Sequence, residues 1–169
     1  MKKALIVIDM QTDFVSGALS NQDAQNIVAP IAARVASFDG DVIATRDTHG
    51  EDYLVSPEGK KLPVPHCIKG TNGWEIVPEI FTALTKRNAL ILDKPTFGYL
   101  GWDVLSAYDE VELVGTCTDI CVVSNALILK AKFPALTVKV NARLCAGTTK
   151  ENHLAALQTM RMCQCEVLD

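Results

Sequence analysis

Six short apolar runs recur along the chain, and the stretches between them carry their apolar residues at helical spacing. The runs at 4–8, 41–45, 89–92, 111–114, 136–140 and 165–168 are rich in β-branched residues and continuous rather than alternating. A sheet with one wet face would make every second residue polar, so continuity predicts strands covered on both faces. Between them, 23–37 places Ile27, Val28, Ile31, Ala32 and Val35 on one helical stripe. Segments 119–131 and 150–160 read similarly, and a shorter helix is predicted near 77–84. Strand, helix, strand in repetition predicts an α/β fold, doubly wound, with a mainly parallel six-stranded sheet of Rossmann-like form.

At 169 residues and 49 % apolar, the chain is expected to form a single domain, 1–169, with a substantial core. The net charge of −4 and the lack of a basic run point away from nucleic acid and from acidic membranes. Two lysines precede the first apolar run, but that run ends at Asp9, too short for a secretory signal, and no stretch approaches a membrane span. A cytoplasmic location is therefore expected. Six cysteines without a secretion signal are read mostly as small buried hydrophobes rather than as disulfide partners.

In sheets of this kind ligands bind outside the carboxyl ends of the strands. Four predicted strand ends carry reactive groups: Asp9 after the first, Asp47 and His49 after the second, Asp93 and Lys94 at the third, Cys117 and Cys121 after the fourth. Cys121 follows a glycine turn into a predicted helix that Thr118 or Asp119 could cap. A thiol there meets the positive end of the helix dipole, so its pKa is expected to fall, and free amides nearby could hold an oxyanion. Lys94 could stabilise the thiolate and Asp9 could carry the proton. Cys117 lacks the helix position, and His153, inside a predicted helix, is read as structural.

The stretch 46–74 is rich in Gly and Pro and nearly aperiodic, which marks it as functional. It holds Asp47, His49, Glu58 and His66, a donor set that suits a divalent ion such as zinc, iron or manganese.

Four segments together resemble the isochorismatase-like cysteine hydrolases: residues 6–14 (IVIDMQTDF), Leu92-Asp93-Lys94 with Phe97 after it, 115–122 (GTCTDICV) and 146–153 (AGTTKENH). They span nearly the whole chain in the family's order. The resemblance implies a triad of Asp9, Lys94 and Cys121. It also implies a cis peptide between Thr116 and Cys117, with the amides of Cys117 and Cys121 turned toward the substrate carbonyl. Asp47-Thr48-His49, Pro57-Glu58 and 63–71 (PVPHCIKGT) look like the nicotinamidase pattern within that superfamily. This implies Asp47, His49 and His66 as ligands, Glu58 as a fourth, and a divalent metal, zinc foremost, that holds a pyridine nitrogen. Phe14 and Phe97 match the positions that sandwich the ring. The implied reaction is hydrolysis of nicotinamide to nicotinic acid and ammonia through a Cys121 thioester. The implied partners are a small-molecule amide and further copies of the chain as a homo-oligomer. The departures are Thr48, where many members have an aromatic residue, and Gly98, where serine is frequent. Two other readings remain: a hydrolase of N-carbamoyl compounds or another small amide, and a non-catalytic relative that only binds a ligand.

Overall fold

The computed structural model describes residues 1–169. Six strands form one sheet: β1 (Lys3–Ile8), β2 (Asp41–Asp47), β3 (Leu90–Lys94), β4 (Glu110–Thr116), β5 (Thr137–Ala146) and β6 (Glu166–Leu168). Their order is β3-β2-β1-β4-β5-β6, and every pairing is parallel. The helices are α1 (Thr12–Val15), α2 (Gln22–Asn26), α3 (Val28–Ser37), α4 (Pro57–Lys61), α5 (Pro78–Lys86), α6 (Val123–Lys132) and α7 (Lys150–Met162). No helix is long and apolar enough to cross a membrane.

The continuous apolar strands have the predicted cause. Ala4, Ile6 and Ile8 of β1 pack into one core with Val122, Ala126, Leu129, Leu157 and Met160, from α6, α7 and the turn before α6. Leu5 and Val7, pointing the other way, pack with Ile31 and Val35 of α3 and with Ile80 and Leu84 of α5. Both faces of β1 are thus dry, and all six of its residues but Lys3 are buried.

Three local expectations change. The helix expected over 23–37 is broken at Ile27 into α2 and α3. Pro30 accounts for the break, because it has no N–H to bond the carbonyl of Asn26 and so cannot extend the first helix into the second. The strand expected at 136–140 runs on to Ala146, with a register shift against β4 between Leu113 and Gly115. The aperiodic stretch 46–74 holds local structure: short 3₁₀ turns at Tyr53–Val55 and Asn72–Trp74, and α4 between them. Ser56 caps α4 by accepting from the Gly59 amide, and Pro57 occupies its first turn.

All six cysteines are free; Cys67, Cys121, Cys145 and Cys165 are buried, Cys117 is half-buried and Cys163 is exposed. The chain winds from β1 outward to β2 and β3, then returns to β4 on the other side of β1. The resulting switch point between the carboxyl ends of β1 and β4 is where such folds bind ligands.

Candidate active site

The switch point gathers the predicted trio. Asp9 immediately follows β1 with φ +49°, a left-handed conformation that aspartate adopts more readily than most residues. Lys94 is the last residue of β3, and Cys121 lies in a π-helical turn, Thr118–Val122, that leads into α6. Lys94 Nζ stands 2.7 Å from Asp9 Oδ2, 3.5 Å from Cys121 Sγ and 3.1 Å from the Thr96 carbonyl oxygen. Thr45 donates its hydroxyl to Asp9 Oδ1 at 2.7 Å. Asp9 and Lys94 are fully buried. The Thr116–Cys117 peptide is cis. Gly115, at φ +120°, lies so close to the Ile8 backbone that any Cβ would strike it, so only glycine lets β4 end against β1 here.

The electrostatics correct one expectation. Burial, and then the Asp9 charge, push the Cys121 thiol well above its ordinary value, and Lys94 offsets this only in part. Cys121 therefore rests as a neutral thiol rather than a thiolate. The helix-dipole argument fails because the cysteine is almost fully buried and shares its one cation with two carboxylates. Burial raises Asp9 above the ordinary carboxylate value; Lys94 pulls it down and Asp47 pushes it up again. For Lys94 burial favours the neutral amine, but the Asp9 carboxylate, with Asp47 behind it, outweighs burial and holds the ammonium charged. Burial also pushes the Cys117 thiol up to about 11. Neither Thr118 nor Asp119 caps the turn. Thr118 Oγ1 bonds His153 Nδ1 at 2.8 Å, and the Asp119 carboxylate accepts from the Thr148 amide (2.8 Å) and hydroxyl (2.5 Å). His153 sits in α7, as its structural reading expects.

Beside the trio, Asp47, His49, Glu58 and His66 converge. Asp47 ends β2 and is held there by Gln11, whose side chain accepts from the Asp47 amide (2.7 Å) and donates to the Asp47 carbonyl (2.8 Å). His49 pairs its backbone with Cys67 and Lys69, which brings it alongside His66. His66 Nδ1 bonds the Val64 carbonyl at 2.8 Å, leaving Nε2 toward the cluster, as metal-binding histidines commonly do. His49 Nε2 is 2.9 Å from Asp47 Oδ2 and 3.6 Å from Glu58 Oε1; His66 Nε2 is 3.6 and 3.5 Å from the same two atoms. Glu58 Oε1 is buried with no hydrogen-bond donor. The four ligand atoms all lie within 4.8 Å of one another. Ligands about 2.0–2.2 Å from a shared ion fall within that range of each other, so the donor set and the orphaned oxygen fit a divalent ion. Burial raises Glu58 above its ordinary value. Burial acts the same way on Asp47, but hydrogen bonds to His49 and His66 and the Lys94 charge outweigh it and hold Asp47 below its ordinary value. Asp47 Oδ1, 3.4 Å from Lys94 Nζ, joins the cluster to the trio.

A cavity of about 370 Å³ opens over both sets. Phe14, Phe97, Leu19, Leu62 and Ile120 wall it, and Cys121, Cys117, Asp47, Glu58 and His66 face into it. No lysine or arginine lines it. Two of its polar rim residues are engaged elsewhere: Asn21 caps α2 and donates to the Gly147 carbonyl at 2.7 Å, and Thr148 is held by Asp119. The structure thus brings Asp9, Lys94, Cys117, Cys121, Asp47, His49, Glu58, His66, Phe14 and Phe97 to one place, whereas Asp93 pairs with Arg46 at 2.8 Å and stays outside it. Sequence reasoning missed Gln11, Thr45, Asn125 and the apolar walls Leu19, Leu62 and Ile120. Gln11 and Asn125 carried the one available signal, an amide inside or beside an apolar run.

The chain and its fold are similar to known proteins. A family model described as an isochorismatase domain matches residues 3–169. The nicotinamidase/pyrazinamidase of Mycobacterium tuberculosis is 29 % identical over 185 aligned positions that cover 98 % of each chain. The crystal structure of a nicotinamidase/pyrazinamidase from Bacillus subtilis superposes over 100 % of both chains, with a TM-score of 0.84 and 28 % identity. A pyrazinamidase of Pyrococcus horikoshii, crystallised in complex with zinc, covers 100 % of this chain and 99 % of its own, with a TM-score of 0.81 and 25 % identity.

Proposed function

Because the chain belongs to the isochorismatase family and is an amidohydrolase acting on carbon–nitrogen bonds, we propose that it hydrolyses nicotinamide to nicotinic acid and ammonia, with Cys121 as nucleophile. The carrying observation is the shared cavity: the Cys121 thiol, backed by the buried Asp9–Lys94 pair, lines it together with Asp47, Glu58 and His66 of the metal-type cluster and two phenylalanines.

The resting state sets the order of proton moves. Cys121 is a thiol and Asp9 a carboxylate of raised basicity, so the Sγ proton passes to Asp9 as sulfur attacks the amide carbon. The backbone amides of Cys117 and Cys121 are the donors we assign to the developing oxyanion. Asp9 then returns the proton to the leaving nitrogen, ammonia departs, and a thioester remains. Water adds to the thioester carbon, gives its proton to Asp9, and the acid leaves as the sulfur recovers a proton. Lys94 keeps its charge throughout and steadies both the Asp9 carboxylate and the thiolate that forms.

Asp47, His49, Glu58 and His66 would hold the divalent ion, zinc by preference for this N/O donor set. When bound, such an ion supplies a Lewis-acid seat for the ring nitrogen. Phe14 and Phe97 would cover the ring faces.

The cavity disfavours the N-carbamoyl reading. Many such compounds carry a carboxylate, and the lining offers it no lysine or arginine while presenting Asp47 and Glu58. The test is ammonia release from nicotinamide, benzamide and a panel of N-carbamoyl compounds. Benzamide has the same shape without the ring nitrogen, so it should react about tenfold more slowly or worse, the cost of one well-placed polar contact. Equal rates on the two rings would remove the metal-orientation argument, and activity on carbamoyl compounds alone would replace the substrate.

A further inference from the structure

Asn125 is a fully buried amide in the first turn of α6, on a helix whose neighbouring core positions are Ala126 and Leu129. An apolar residue would be cheaper there unless every hydrogen-bonding position of the amide found a partner. All four do. Nδ2 donates to the Cys121 carbonyl at 2.8 Å and to the Phe97 carbonyl at 3.0 Å. Oδ1 accepts from the Tyr99 amide at 2.9 Å and from Trp102 Nε1 at 3.0 Å. Two donors and two acceptor sites are the whole capacity of an asparagine, and no other side chain of its length has both.

The partners divide into two functional groups. One is the turn that carries Cys121. The other three bonds go to the segment between Lys94 and Trp102, which lies flat on α6. Gly98 rests so close to Ile128 that a Cβ would strike its side chain. This segment carries Phe97, and its start is tied to Lys94 through the Thr96 carbonyl. Phe97 is 40 % exposed, so little packing holds it in place.

We propose that Asn125 is a positioning residue that locks the Phe97 wall and the Cys121 turn into one register, so that a ring stacked on Phe97 presents its carbonyl carbon at Sγ. The inference rests on the reading above that the ring lies on Phe97 and the attack comes from Cys121.

Three variants separate its two arms. In Asn125→Thr, a threonine hydroxyl in a helix can bond the carbonyl four residues back, here Cys121, so only the loop arm is lost. Asn125→Leu loses both arms. Trp102→Phe removes a single bond and leaves Asn125 in place, which keeps the test open should either Asn125 variant fail to fold. For Asn125→Thr, KM for nicotinamide should rise about tenfold while kcat stays within about threefold. Asn125→Leu should lower kcat as well, by about tenfold or more, because the nucleophile is freed. Trp102→Phe should raise KM in the same direction by a smaller factor. In a Phe97→Ala background Asn125→Thr should change KM less than about twofold, since the wall it positions is gone. A general packing role would instead give the same KM factor in both backgrounds, and that result, or an unchanged KM in both Asn125→Thr and Trp102→Phe, overturns the proposal.

A substrate-free arm keeps the two readings apart. Alkylation of Cys121 by iodoacetamide should proceed at the wild-type rate in Asn125→Thr and severalfold more slowly in Asn125→Leu. If wild type releases no ammonia from nicotinamide, the substrate reading fails and the alkylation rates decide the positioning claim. Equal alkylation in all three proteins then refutes it.

Discussion

Replacing Glu58 by glutamine should have opposite effects on stability with and without metal. Glu58 Oε1 is buried, lies 3.5–3.6 Å from His49 Nε2 and His66 Nε2, and receives no hydrogen bond. In chelated protein that oxygen is a liability, because an unsatisfied buried polar atom costs about 1–3 kcal/mol. Glu58→Gln removes its charge at constant shape, so the chelated variant should be as stable as wild type or about 1 kcal/mol more stable. For a domain of this size that is a rise of about 2–4 °C in Tm. With zinc the sign reverses. An ion at 1,000 times its Kd adds about 4.1 kcal/mol to the folded state, and at 10 times its Kd about 1.4 kcal/mol. If losing the carboxylate weakens zinc about a hundredfold, the variant forgoes about 2.7 kcal/mol, or about 5–11 °C, of the metal-induced rise. The assay is thermal unfolding of both proteins in chelator and in a fixed zinc excess, with zinc content measured alongside. A variant destabilised equally in both conditions would mean that Glu58 serves the fold. An identical zinc-induced rise in both proteins would remove it from the ligand set.

Cys121→Ala should abolish turnover with the fold intact by circular dichroism, whereas Cys117→Ala, losing a neutral thiol whose backbone alone is needed, should keep most activity; substantial turnover by pure Cys121→Ala protein would refute the nucleophile. The acid limb of kcat/KM should lie above the ordinary carboxylate range: Asp9 must be deprotonated to act as base and its pKa is raised, so activity is lost as pH falls through that raised value. A pH profile with its acid limb at or below the ordinary carboxylate value would contradict this, since burial, the larger cause, does not depend on the ion. Gln11→Ala should cost about 3 kcal/mol, at about 1 kcal/mol for each of its buried bonds to Asp47 N, Asp47 O and Trp74 O, and lower Tm by about 6–12 °C. It should also weaken zinc binding through the loosened Asp47, and unchanged zinc content in a folded variant would separate the two effects.

The residues readable in the sequence are those whose proposed role is tied to where a strand ends. Asp9, Asp47, Lys94 and Cys121 each follow an apolar run that could be seen, and a parallel sheet puts all its strand ends on one side. The residues that escaped are those whose meaning lies in a distant backbone. Gln11 finds its partners at Asp47 and Trp74, 36 and 63 positions away, and no local pattern announces either. Asn125 interrupts the apolar stripe of α6, which reads as a flaw until the Phe97 and Tyr99 backbone groups are laid over it. The protonation of Cys121 escaped for another reason. Its position at a helix start is local and argued for a thiolate, but the burial and the divided attention of Lys94 are properties of the assembled site.

That divided attention follows from the strand order. With β3-β2-β1-β4 as neighbours, the ends carrying Lys94, Asp47, Asp9 and the Cys121 turn lie side by side, each about 4.8 Å from the next. Lys94, on the edge strand, must reach across β2 to meet Asp9 on β1, and in doing so passes Asp47. Asp47 therefore touches Lys94 with one oxygen and the His49–His66 pair with the other. An ion held by that second oxygen would compete with Lys94 for the Asp47 charge and leave the ammonium to Asp9 and Cys121. Metal loading and thiol activation would in this way be coupled through a single carboxylate, whose backbone at the end of β2 is held by Gln11.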